Sequence, residues 1–135
     1  MPEGVGYRRR MRRIALLVPI AALAIGTAGC MDGHHDDANK PVEPGARKVP
    51  VEATSFEFAP DTLTADAGED LAIVLNSDDI SHDFVIDGQG GHIVGTDGSG
   101  TARGGLTIDT PGKYTFYCSL PGHRDGGMEG TIVIK

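Results

Sequence analysis

Beyond Lys48 the chain alternates apolar and polar residues in short runs, each closed by Gly, Pro, Asn or Asp. A period of two belongs to strands, whose successive side chains point to opposite faces. The runs are Val49 to Ala53, Phe56 to Phe58, Thr62 to Ala65, Leu71 to Asn76, Asp83 to Ile86, Ala102 to Ile108, Lys113 to Tyr117 and Thr131 to Ile134. No segment of useful length repeats at the helical period. In "DLAIVLN" Leu71, Ile73 and Leu75 share one face, and in "GKYTFYC" so do Tyr114, Phe116 and Cys118. Cys118 therefore takes an inward direction from its strand. Short strands at close spacing predict an all-β fold, a Greek-key sandwich or barrel of about seven to eight strands. The glycine-dense stretch from Asp87 to Gly100, "DGQGGHIVGTDGSG", is expected as a surface excursion rather than a strand, with His92 solvated and metal binding its lesser role.

The N-terminal part obeys a different rule. From Tyr7 it reads "YRRRMRRIALLVPIAALAIGTAGC": arginines, an apolar run from Ile14 to Ile25 broken by Pro19, then small residues up to Cys30. Basic, apolar and cleavage regions in that order predict an export signal over residues 1–30. The apolar run is shorter than the roughly 20 residues that span a bilayer. Because Thr27, Ala28 and Gly29 lead into Cys30, the segment resembles a bacterial lipoprotein signal, although Thr27 stands where that pattern favours an aliphatic residue. The resemblance implies lipid attachment at Cys30 and anchoring to the outer face of the cytoplasmic membrane. Plain secretion to the periplasm or beyond, with Cys30 discarded or left free, stays open.

Residues 31–47, "MDGHHDDANKPVEPGAR", lack apolar periodicity and are expected as a flexible acidic tether to a domain over residues 48–135. His34 and His35, beside Asp36 and Asp37, could recruit a divalent metal loosely, but nothing there fixes a coordination geometry. A domain of this size folds only marginally by itself, so a bound metal would add stability that its core lacks.

Charge narrows the partners. The formal net charge is −7, and loss of Arg8, Arg9, Arg10, Arg12, Arg13 and Glu3 with the leader makes it −11. Such a surface repels nucleic acid and anionic lipid head groups and steers a basic protein partner. The two cysteines, Cys30 and Cys118, would by default pair in an exported protein, but that bond would staple a leader to a distant loop. Cys118 reads instead as a lone thiol in an oxidising compartment, where metal binding would protect it.

The stretch "YCSLPGHRDGGMEG" carries the chemistry, with Cys118, His123 and Met128 in a Cys-x4-His-x4-Met pattern. Thiolate and thioether are soft ligands that suit copper, and one Cys, two His and a weak axial Met make a blue-copper electron-transfer site. His82, after the polar turn of "NSDDISHDFVI" and on the face of Phe84 and Ile86, is the candidate second histidine. Pro121 and Gly122 turn the chain back, and Gly126 and Gly127 allow a close return. The competing readings weaken on counting. A binuclear copper centre needs two cysteines in this loop, copper oxidases need histidines beyond those available, and structural zinc sites use more Cys or His and no Met.

The segments "SHDFVID" at Ser81 to Asp87, "PGKYTFYCSLPGH" at Pro111 to His123 and "GMEGTIVI" at Gly127 to Ile134 resemble the cupredoxins, the small type 1 blue-copper proteins of the plastocyanin and azurin kind. The likeness covers essentially all of residues 48–135. It implies His82, Cys118 and His123 as near-planar ligands and Met128 as a long axial contact of one copper cycling between Cu(II) and Cu(I). It also implies a non-enzymatic, monomeric electron carrier whose electron leaves by His123, ringed by Leu120 and Pro121, towards a redox protein such as a c-type cytochrome or oxidase. The alternative is a module for copper storage, buffering or delivery, helped by Met31, His34 and His35. One departure is Asp83, where better-known members carry Asn. Its backbone N–H can still donate to the thiolate, and its side-chain bracing of the ligand loop is the open point.

Overall fold

The computed structural model describes residues 39–135; the expected signal, Cys30, Met31, His34 and His35 lie outside the described residues. Along β1 (Arg47–Thr54) Val49, Val51 and Ala53 are buried while the residues between them are exposed, as period two requires. β2 (Glu57–Ala59), β3 (Thr62–Ala65), β4 (Leu71–Ser77) and β5 (His82–Ile86) follow, then β6 (Gly91–Thr96), β7 (Gly100–Leu106), β8 (Gly112–Tyr117) and β9 (Glu129–Ile134). Among the described residues there is no helix.

The strands form two sheets, ordered β2-β1-β4-β7 and β3-β9-β8-β5-β6. The pairs β1/β4 and β3/β9 run parallel, and the other pairs antiparallel. Parallel neighbours need crossovers, so β1 and β4 are joined through the opposite sheet by β3. The fold is thus the expected all-β sandwich. Its core is filled from both inner faces by Val51, Ile73, Leu75, Phe84, Phe116 and Ile132, all essentially inaccessible to solvent. Phe84 stacks on Phe116 at 4.5 Å between centroids, and Phe58 meets both edge-on at 6.0 and 5.3 Å. Such offset and edge-to-face pairs add to the gain from burial alone.

The segment from Asp87 to Gly100 departs from expectation. The glycine-dense segment holds a ninth strand, β6, paired with β5. Gly90 and Gly91, at φ 80° and 76°, close the β5–β6 hairpin, a left-handed conformation that glycine adopts without steric cost. A bulge between Phe84 and Val85 then breaks the alternation, so Ile93 and Val94 are both buried in succession. Glycine on β7 makes the neighbouring packing possible: a Cβ on Gly104 would lie 2.1 Å from the Ile93 carbonyl oxygen. Part of the segment expected as a tether lies against the same edge, with Lys40 N–H donating to Ile93 O and Gly105 N–H to Lys40 O, at 2.9 and 3.0 Å.

Candidate metal centre

The register of β5 against β8 decides where the chemistry meets. Val85 pairs with Tyr117 and Ile86 with Phe116, so extending the ladder sets Asp83 opposite Ser119 and the start of β5 beside the residues that follow β8. His82 opens β5 and Cys118 directly follows β8. On the other side Tyr117 pairs with Glu129, and Cys118 N–H donates to Met128 O at 3.1 Å, so Met128 lies across the ladder from Cys118. The loop between them folds on itself: His123 N–H reaches Leu120 O, Gly126 N–H reaches Gly122 O and Met128 N–H reaches His123 O, at 3.0 to 3.1 Å. Gly122 and Gly127, at φ 81° and 102°, supply the left-handed turns.

His82, Cys118 and His123 offer ligand atoms that all lie within 4.8 Å of one another, and all three residues are buried. Cys118 Sγ is 3.4 Å from His123 Nδ1, and the two imidazole centroids are 5.1 Å apart. Met128 is fully buried beside them. The donors suit a soft, thiolate-binding metal. One further observation tests the fit. His82 Nδ1 is buried without a hydrogen-bond partner, an arrangement that is costly unless something else uses the lone pair.

Burial pushes the Cys118 thiol up to about 11, against backbone N–H groups of Asp83 and Leu120 that favour the thiolate; the Asp83 carboxylate pushes it further up. Without a cation the site therefore holds a neutral thiol. A metal that binds here displaces that proton.

Asp83 keeps the bracing role that its departure from Asn put in question. Its Oδ1 accepts the Ser119 N–H at 2.6 Å and its Oδ2 accepts the Ser119 hydroxyl. A carboxylate offers only acceptors, and here both partners are donors. His92 is not the solvated loop residue expected. It lies half-buried on β6, with Nδ1 4.0 Å from Asp83 Oδ2 and Nε2 3.5 Å from Asn39 Oδ1, outside the cluster of ligand atoms.

Two neighbours of the site escape a reading by spacing. Phe56 sets its ring edge-on to His123 at 4.8 Å and 85°, although it belongs to the β1–β2 turn. Asp79 holds His82 Nε2 at 2.9 Å from Oδ1. The two aspartates of "NSDDIS" carry no pattern that tells which one turns inward.

Among known sequences, the copper binding proteins of the plastocyanin/azurin family match residues 46–135. The chain belongs to this family. As a cupredoxin it takes one copper ion as its cofactor. Plastocyanin of Dryopteris crassirhizoma is 30% identical over 103 residues, covering 65% of this chain and 97% of the relative. Plastocyanin of Prochlorothrix hollandica is 28% identical over 130 residues, covering 92% of this chain and 94% of the relative. Among solved structures, auracyanin A, a "blue" copper protein from the green thermophilic photosynthetic bacterium Chloroflexus aurantiacus, superposes with a TM-score of 0.58 at 17% identity, over 67% of this chain and 100% of that one. At that identity the likeness is one of cupredoxin fold.

Proposed function

We propose that this cupredoxin is a mononuclear type 1 copper protein that carries single electrons outside the cytoplasmic membrane, with His82, Cys118, His123 and Met128 as its ligands. Bound copper supplies a one-electron couple and an intense thiolate-to-metal absorption. The observation that carries the reading is the ready-made cluster: three buried donors within 4.8 Å, one with an unpartnered lone pair, on backbone already tied by strand and loop hydrogen bonds. A scaffold that needs little rearrangement between oxidation states suits electron transfer. Burial of the donors speaks against the delivery reading, which needs ligands that an acceptor can reach.

Pro121 is exposed and Leu120 half-buried beside His123, which is 8% exposed, so this apolar rim supports electron exit at that histidine. The acidic surface favours a basic redox partner such as a c-type cytochrome, and the export signal with Cys30 supports a lipid anchor. The test is the visible and electron-spin spectrum of the copper-loaded protein and of Cys118→Ser. The expected outcome is an intense visible band in the first and none in the second, with the fold retained. A colourless copper-loaded wild type overturns the reading. Electron exchange with a c-type cytochrome is expected to slow as salt is added.

A further inference from the structure

Asp79 occupies the turn between β4 and β5, three residues before His82. Its carboxylate takes donors from three directions. Ser55 N–H reaches Oδ2 at 2.9 Å, Ile80 N–H reaches Oδ1 at 2.7 Å, and His82 Nε2 lies 2.9 Å from Oδ1. The Ser77 hydroxyl donates to Ile80 O at 2.5 Å and so ties the turn to the end of β4.

With Ile80 N–H donating to Oδ1 and Ser55 N–H to Oδ2, the Asp79 carboxylate is placed as an acceptor, so His82 Nε2 carries the ring proton. Nδ1 is then a bare lone pair, and it is the buried, unpartnered atom of the metal cluster. A hydrogen bond at one imidazole nitrogen thus selects the nitrogen left for the metal. The same carboxylate also steadies the second histidine. Ser55 and Phe56, at φ 42° and 69°, form a left-handed pair that tertiary contacts must hold. Asp79 grips that turn through Ser55 N–H, and the turn presents the Phe56 ring to His123.

We propose that Asp79 is the positioning residue of this centre, locking the His82 tautomer for metal binding and, as an anion hydrogen-bonded to a ligand, lowering the reduction potential of the copper. Negative charge passed through the imidazole N–H raises ligand basicity and so favours Cu(II) over Cu(I). The Asp79 side chain is 34% exposed while that of His82 is 0%, so solvent weakens the charge but does not separate the pair. The proposal rests on the copper-site reading above, and its test has one arm that does not.

The experiment compares wild type with Asp79→Asn, Asp79→Ala and, as a control for charge alone, Asp78→Asn. In the metal-free protein, nitrogen NMR is expected to find His82 as the single Nε2–H tautomer in wild type and as a mixture in both Asp79 variants. In the copper-loaded protein, Asp79→Asn is expected to keep the visible band while its Cu(I)/Cu(II) ratio at the wild-type midpoint rises about tenfold, or about 59 mV for one electron. Asp78→Asn, with the same change of net charge, is expected to shift that ratio less than twofold. A wild-type Nδ1–H tautomer overturns the proposal. So does an unchanged potential in a folded, blue Asp79→Asn protein, or an equal shift in Asp78→Asn. If wild type takes up no copper, the functional reading falls and the tautomer measurement alone decides the role of Asp79.

Discussion

Asp83 and Ser119 are clamped across the mouth of the site, with the Ser119 N–H at 2.6 Å from one carboxylate oxygen and its hydroxyl on the other. One residue follows His82 and the other follows Cys118, so this pair fixes the separation of two strand ends that carry the buried donors. Asp83→Leu leaves the Ser119 N–H without its acceptor and is expected to cost about 2 kcal/mol in denaturant unfolding. Asp83→Asn retains an acceptor for that N–H and is expected to cost less than half as much. Equal losses in the two variants would show that the clamp is not what Asp83 contributes.

The Cys118 thiol sets a pH dependence for the metal-free protein. Its folded value is raised from 9.0 to about 11, so the folded and unfolded chains bind the proton equally below pH 9. Above pH 9 the unfolded chain ionises first, and stability falls until the folded thiol also ionises near pH 11. The melting temperature of metal-free protein is therefore expected to drop between pH 9 and 11 more steeply than that of Cys118→Ser. Copper loading at neutral pH is expected to release about one proton from this thiol, measurable in weakly buffered solution.

Phe56 combines a left-handed backbone with an aromatic contact to His123. Phe56→Ala keeps the backbone strain and loses the ring contact, so it is expected to destabilise by about 1 kcal/mol. Phe56→Gly loses the same contact and relieves strain of similar size, so it is expected to unfold within about 0.5 kcal/mol of wild type. Urea titration of both variants checks the ordering, and a less stable Gly variant would contradict it.

Gly104 reports on the packing of β6 against β7. Its Cβ would meet the Ile93 carbonyl oxygen at 2.1 Å and Val94 Cβ at 2.8 Å, and backbone cannot swing aside as a flexible side chain can. Gly104→Ala is expected to cost at least about 2 kcal/mol. Amide exchange is expected to rise first in β6 and β7, while the ladder between β8 and β9 keeps its protection.

Most of the sandwich was legible because its strands are locally consistent: the inward faces of β1, β4 and β8 follow from alternation in runs of six to eight residues. The proposed donors stood out for a related reason. Cys118, His123 and Met128 lie in one loop whose turn residues are its own, and His82 stands at the head of an apolar strand. β6 was not legible, because a bulge and two glycines at positive φ erase the period that marks a strand.

Length, charge, the leader pattern and the identity of the soft donors thus follow from the order of residues, since each depends on near neighbours or on counting. That His82, Cys118 and His123 converge within 4.8 Å depends on the register between β5 and β8, which packing of the sheet sets. That Asp79 rather than Asp78 faces His82, and that Phe56 meets His123, depends on how two separate turns come to rest against one end of the sandwich. Such contacts join residues far apart in the chain, and no local preference encodes them. They arise when the core closes and each buried donor must find an acceptor.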